Sequence, residues 1–414
     1  MKEQLISICE KECTDCKGCV SVCPVQCITE KRNDDGRTVL AVDGKKCIGC
    51  NKCKKVCPQI VLPGLNYPLQ AYAAWSRNEN EKRISASGGI ASAAYRYAAD
   101  KGWFFVGAFY DASEYRVKLD IGSDLSDIDR FRSSKYAHSD AGHIYQECQK
   151  LIDSGKSIVF VGLPCQVAAM RKIERRREHS GRIYYIDLVC HGTPPEEYLE
   201  NHIKSIENTL GEKTEKCLFR DAEFDTNNFV LSLTSKAGET FYARKVVSDD
   251  CYQIGFHRAI IYRENCYSCK FARPERCGDI TLGDYKGLGI LEQYDGNRKD
   301  VSCVLVNTED GKRLFHKLVS EGYVTANVRP VREPIQSEHQ LNAPSIAHKG
   351  RKKFIMQYAE KGNFEEAARD SISAVAKREL FMEKIHIKKL TGFCKKLSPV
   401  YIVRAVRRRF RNSI

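Results

Sequence analysis

The chain has no run of about eighteen apolar residues, so no helix in it is expected to cross a membrane. Its start, MKEQLISICEKEC, turns polar within a few residues and lacks the basic, apolar and small-residue succession of an export signal. The expected location is therefore the cytoplasm, at most touching the inner membrane face. A broad excess of basic charge is missing too. The formal charge is +14, yet twelve Lys or Arg and two Glu fall between Lys377 and Ile414, so the preceding 376 residues carry only about +4. No alternation of aromatic and cationic residues accompanies this basicity, which argues against nucleic acid as a partner.

What the chain has in plenty is cysteine, twenty in 414 residues. A reducing compartment disfavours a disulfide framework, which leaves metal ligation as the default. Residues 1–62 hold a near repeat, CTDCKGCVSVCP from Cys13 and CIGCNKCKKVCP from Cys47. Each half has the C-x2-C-x2-C-x3-C-P spacing of bacterial 4Fe-4S runs, in which the fourth cysteine serves the other cluster. Cys13, Cys16, Cys19 and Cys57 are thus expected to hold one cluster, and Cys47, Cys50, Cys53 and Cys23 a second. Three thiolates on one tight loop require a sharp backbone turn, expected at Gly18 and Gly49. Two zinc sites are the alternative, but zinc knuckles seldom place three close cysteines before a Cys-Pro. Cys9 and Cys27 fall outside the pattern. Between the halves, an Asp-Asp-Gly turn flanked by β-prone runs predicts a hairpin. The segment resembles a two-cluster bacterial ferredoxin domain, and Lys45, Lys46, Lys52, Lys54 and Lys55 around its second run suit an acidic electron carrier.

After a Pro- and Gly-containing linker at 62–70, residues 71–330 alternate apolar runs with helical patterns, which predicts an α/β domain. Strands are expected at Trp103–Tyr110, Ser157–Gly162 and Ile183–Val189. Residues 331–414 read as a helical, basic tail. The expected architecture is an α+β ferredoxin-like two-cluster domain fused to a larger α/β domain, with that tail appended. Its last part, SPVYIVRAVRRRFR from Ser398, sets Ile402, Val403, Val406 and Phe410 opposite Arg404, Arg407, Arg408 and Arg411, a face suited to peripheral contact with anionic membrane.

Cys266 and Cys269 form a C-x2-C that alone fits half a zinc site, half a cluster site or two buried thiols. Cys165 and Cys190 each follow an apolar strand, and the carboxyl ends of strands in open α/β sheets are where ligands collect. A helix start beside each thiol would favour the thiolate; Thr193 is the expected cap of the helix after Cys190. Ser87, Gly88 and Gly89 open another helix and offer a phosphate its backbone amides.

Five segments occur in the order seen in the coenzyme F-420 hydrogenase/dehydrogenase beta-subunit family: SASGGIASA from Ser85, RSSKYAHS from Arg132, GLPCQVAAMRK from Gly162, DLVCHGTPP from Asp187 and CYSCKFARPERCGDITLGDYKG from Cys266. The chain resembles that family, and most of all its ferredoxin-fused members found among bacterial polysaccharide biosynthesis genes. The resemblance implies an FAD close to a third 4Fe-4S cluster ligated by Cys165, Cys190, Cys266 and Cys269, with Cys277 a bystander. It also implies flavin binding by Ser87, Gly88, Gly89, Ser133, Ser134 and Lys135. Lys135 would sit near the pyrophosphate or the ring, and His191 would donate a proton to the substrate. The implied activity carries electrons from ferredoxin or flavodoxin through the clusters to FAD and a small organic substrate. An electron-input subunit serving a deazaflavin or nicotinamide and a partner enzyme is the alternative.

Overall fold

The computed structural model describes residues 11–32, 38–245 and 250–373, with 375 and 377. The tail helix at 398–411, Cys9 and most of the helix expected over 363–389 lie outside the described residues.

In the cysteine-rich segment, strands β1 (Ile28–Arg32) and β2 (Thr38–Val42) pair antiparallel as the expected hairpin. Each cysteine run carries a short helix, Gly18–Ser21 in the first and Lys52–Val56 in the second. The sharp turns come from equivalent positions of the repeat: Asp15 and Lys17 in the first run, Gly49 and Asn51 in the second, all with positive φ. Gly49 serves as expected, but Gly18 does not. Its bare Cα instead admits a neighbour, since a Cβ there would stand 3.2 Å from Ala169 Cβ.

The larger unit is built on β3 (Gln70–Ser76), β4 (Phe104–Asp111), β5 (Arg116–Gly122), β6 (Ser139–Asp140), β7 (Ile158–Gly162) and β8 (Ile183–Leu188). A separate antiparallel sheet contains β9 (Lys216–Leu218), β10 (Val230–Thr234) and β11 (Thr240–Lys245). The remaining strands, β12 (Ile280–Asp284), β13 (Ser302–Val306) and β14 (Val324–Arg329), complete a nine-stranded sheet in the order β14-β3-β13-β12-β8-β7-β4-β5-β6. Its centre, β12-β8-β7-β4, is parallel. Antiparallel pairs flank that centre on both sides, so the sheet is mixed. Within this centre β7 is apolar throughout, with Ile158, Val159 and Phe160 fully buried, because helices cover both faces.

The linker is ordered against the sheet: Asn66 bridges Arg276, and Leu62 and Leu65 pack beside the helix Pro164–Ile173. The start of the expected tail is part of the core. Helices Arg351–Lys361 and Phe364–Ser371 bury Phe354 and Phe364 against Tyr198 and Tyr252, because their apolar residues recur at helical spacing and find a partner face. Among the described residues no helix is long and apolar enough to cross a membrane.

Candidate iron–sulfur and redox site

Cys13, Cys16, Cys19 and Cys57 line one cavity, and Cys13, Cys16 and Cys57 all lie within electrostatic range of Cys19. Cys23, Cys50 and Cys53 group likewise, with Cys47 reaching Cys27, which itself lies 3.5 Å from Cys23 Sγ. Backbone amides point at sulfur in the first run, as when the Asp15 amide donates to Cys13 Sγ at 3.4 Å.

In the larger unit, Cys165 is the second residue of the helix Pro164–Ile173, directly after β7, and Cys190 lies just beyond the end of the neighbouring parallel strand β8. The two thiols therefore share one sheet end. Cys266 and Cys269 arrive from the 3-10 turn Glu264–Ser268, and Cys190, Cys266 and Cys269 all lie within electrostatic range of Cys165, as does Cys16 from the first run. Burial pushes the Cys190 thiol up to about 12 and Cys269 to about 11, which overrides the thiolate preference expected from nearby helix starts. A group of high positive charge would be needed to hold Cys165, Cys190 and Cys269 deprotonated.

Thr193 does not cap the helix Glu196–Leu210; Pro195 occupies the cap position. The Thr193 amide donates to Cys266 Sγ at 3.5 Å and its carbonyl accepts from Arg263, so its backbone is tied to the cysteine turn instead. Cys277 is buried in the same packed cluster as Cys165 and Cys269, donating to Pro164 O at 3.2 Å and to the Asp187 carboxylate at 3.3 Å.

A buried polar network joins the two units between these cysteine groups. Asp15, inside the first run, lies 3.4 Å from both Lys17 and Arg263 and 3.7 Å from His138. Glu196 stands beside them, paired with Arg116 at 3.5 Å, and burial pushes its carboxyl up to about 8. Asp15, His138 and Glu196 offer ligand atoms within 4.8 Å of one another, but the surrounding Lys17, Arg116 and Arg263 make this an ion-pair network. Cysteine spacing does not signal these residues, although charged side chains between or beside ligand cysteines are a visible hint.

The candidate flavin residues separate into two kinds. Ser87 donates to Val301 O at 2.9 Å and the Gly88 amide to Ser302 Oγ at 2.9 Å, so both are spent on β13 and its approach. A Cβ on Gly88 would stand 2.4 Å from Ala74 O, so the glycine is required by packing. Gly89, at φ +78°, is the cap of the helix Ile90–Asp100. Near it, the buried hydroxyl of Ser85 has no hydrogen-bond partner among the described residues, and the same holds for Ser133 Oγ and Arg132 Nε. Arg132 and Arg96 both approach Glu81 on the helix preceding Gly89, which brings these orphan donors to one region. Ser134 faces the Tyr136 hydroxyl. Lys135 donates to the carbonyls of Arg130 at 3.2 Å and Arg132 at 2.6 Å, and burial pushes its ammonium down to about 7.

His191 lies amid Asp284, Lys286, Glu338, His257 and His339, with its pKa lowered by burial. Its carbonyl accepts from Ser345 Oγ at 2.6 Å. Beside this group Tyr136 stacks on Phe256 with ring centroids 4.5 Å apart, and Arg220 reaches Asp284 at 2.9 Å.

Residues 155–330 match the family model for the C terminus of the coenzyme F420 hydrogenase/dehydrogenase beta subunit, and residues 12–61 match that of the 4Fe-4S dicluster domain. A chain of the F420-reducing NiFe hydrogenase complex from Methanosarcina barkeri superposes on 74% of this chain and 92% of its own, at 17% identity and a TM-score of 0.44. No curated protein matches.

Proposed function

We propose, for a chain that over residues 155–330 belongs to the coenzyme F420 hydrogenase/dehydrogenase beta-subunit family and carries a 4Fe-4S dicluster domain, an iron–sulfur flavoprotein reductase fed by ferredoxin or flavodoxin. Its substrate is a small organic molecule, expected in surface-polysaccharide biosynthesis. The observation that carries this reading is the convergence of Cys165, Cys190, Cys266 and Cys269 within electrostatic reach of Cys16. Such a grouping suits a third 4Fe-4S cluster standing between the ferredoxin segment and the end of the sheet, because single electrons pass between groups held close and fixed.

The donor sets fit the proposed groups. Twelve cysteines in three groups of four suit three cubanes, and amide-to-sulfur bonds at Cys13 and Cys266 would tune them. For FAD, the buried unpaired Ser85 Oγ, Ser133 Oγ and Arg132 Nε supply donors for a pyrophosphate, and the helix Ile90–Asp100 begins at Gly89 without a side-chain cap. When bound, FAD would join two-electron chemistry on the substrate to one-electron transfer through the clusters. Lys135 would hold the loop after Phe131 through its two carbonyl partners and sit beside the phosphate donors. His191 would hand a proton to substrate from the group it forms with Asp284 and His257.

Purification without air tests the reading. It expects about twelve irons and one acid-released FAD per chain, with flavin reduced on adding reduced ferredoxin. Full iron without flavin would reduce the protein to an electron carrier. The family description favours one second reading, an electron-input subunit that exchanges electrons between a deazaflavin or nicotinamide and a partner enzyme. Flavin reduction by a reduced deazaflavin faster than by ferredoxin would select it.

A further inference from the structure

The two cysteine groups of the N-terminal segment face opposite surroundings. Cys16 and Cys57 are buried, and their cavity is walled by Pro195, Glu196, Arg263 and Asn265 of the larger unit. Cys47 and Cys50, by contrast, are exposed, and so is every residue from Gly44 to Lys52. Three large apolar side chains stand out of the same part of the segment: Ile48 is 65% exposed, Ile60 44% and Val61 53%. Exposed lysines 45, 46, 52, 54 and 55 accompany them, and only Asp43, 4.0 Å from Lys46, offsets their charge along this stretch. Lys270 of the larger unit joins the edge, donating to Gln59 O at 2.7 Å.

We infer that this apolar patch with its lysine rim is the docking face for a small acidic one-electron carrier protein, and that electrons enter through the group of Cys23, Cys47, Cys50 and Cys53. The inference rests on the iron–sulfur reading above and adds the point of entry and the partner's chemistry. A transient redox partner needs only a small interface: an apolar centre that brings the redox groups together and a charged rim that raises the encounter rate. Both features lie over the exposed ligand loop. The chain's own C-terminal segment is excluded as occupant by charge, because residues 377–414 carry a net +10 and would be repelled. Transfer moves one electron from the reduced carrier to the cluster, and no bond is made or broken. The order of groups then runs inward from the exposed cysteines to the Cys13, Cys16, Cys19 and Cys57 set, and through Cys16 to Cys165.

The test uses the full holoprotein, an acidic two-cluster ferredoxin photoreduced in advance, and stopped-flow bleaching of the cluster absorbance. The unaltered protein is expected to react about tenfold or more faster at low than at high salt. A variant with Lys45, Lys46, Lys52, Lys54 and Lys55 all changed to Glu should keep its iron, lose most of that rate at low salt and lose the salt dependence. Reduction by a small uncharged photoreductant should be little changed, which separates docking from an altered cluster potential. Changing Lys312 and Lys317 to Glu, on a remote helix, should leave the carrier rate close to the original. An unchanged rate and salt slope in the five-lysine variant with full iron would overturn the docking face. So would loss of binding to anionic phosphatidylserine vesicles without loss of carrier rate, which would make the patch a membrane-facing one. A protein with no iron at all would instead overturn the iron–sulfur reading beneath it.

Discussion

The guanidinium of Arg276 lies 3.1 Å from Oδ1 of Asp187, and both side chains are almost wholly buried. The same guanidinium donates to Phe271 O at 2.8 Å and Leu188 O at 3.0 Å, so it fastens the loop after Cys269 to the strand end before Cys190. The ion pair is thus a positioning element for two proposed ligands. Arg276→Ala would leave the buried Asp187 carboxylate without its ion-pair partner, which costs about 3–5 kcal/mol. The expected outcome is a lower Tm and a loss of about four irons per chain. Arg276→Lys should recover only part of the iron, because an ammonium lacks the planar fork that spans these acceptors. Full iron in Arg276→Ala would remove the positioning role.

Cys277 spends its thiol proton on Asp187 and Pro164 rather than on any of the four cysteines. Cys277→Ala is therefore expected to keep all of its iron, whereas Cys269→Ala should fall from about twelve irons toward about eight. Anaerobic iron and sulfide analysis reads both, and loss confined to the first variant would move the fourth ligand to Cys277.

Gly88 is a poor probe of flavin binding, because any side chain there collides with Ala74 O and Ser302 N. Gly88→Val should lower stability by about 1–3 kcal/mol whether or not flavin binds. Ser133 carries an unpaired buried hydroxyl and tests the flavin directly. Ser133→Ala is expected to keep the Tm of the flavin-free protein and to lose flavin severalfold more readily on gel filtration. Equal retention would take Ser133 out of the site.

His202 is buried between Asp250, at 2.9 Å, and Glu365, and these carboxylates push its pKa up to about 10. A raised folded-state pKa gives stabilisation that is complete below the ordinary value of 6.5 and is lost as pH climbs toward about 10. His202→Gln should lower Tm most at pH about 6, and the gap from the unaltered protein should narrow toward pH about 10. A gap independent of pH would show that the imidazole is not charged in the fold.

The basic segment Ser398–Arg411 predicts salt-sensitive membrane attachment of about 1 kcal/mol per nearby cation. Removing residues 398–414 should abolish flotation with anionic liposomes at low salt, and equal flotation of both forms would dismiss the attachment.

Much of this molecule is legible in one dimension. The cysteine spacing is local, since a tight loop must present thiolates at fixed intervals, and the repeat of CTDCKGC and CIGCNKC reappears as left-handed residues at matching positions. Strands β4, β7 and β8 were readable from apolar runs, because a parallel strand covered on both faces has no polar side to show. What spacing could not convey is which distant groups meet. Gly88 reads as a phosphate loop in sequence and acts as a packing glycine in the fold, because Ala74 and Ser302 approach it from far along the chain. The mixed edges of the sheet, the burial of Phe354 and Phe364 in the main core, and the ion pairs of Asp15 with Arg263 and Asp187 with Arg276 all join segments tens to hundreds of residues apart. The sequence by itself determined the ligand types and their local loops, whose geometry depends only on neighbours along the chain. Tertiary structure alone decided which loops face one another at the end of the sheet and which face solvent, since that depends on how the sheet is ordered and on which buried charges find a partner.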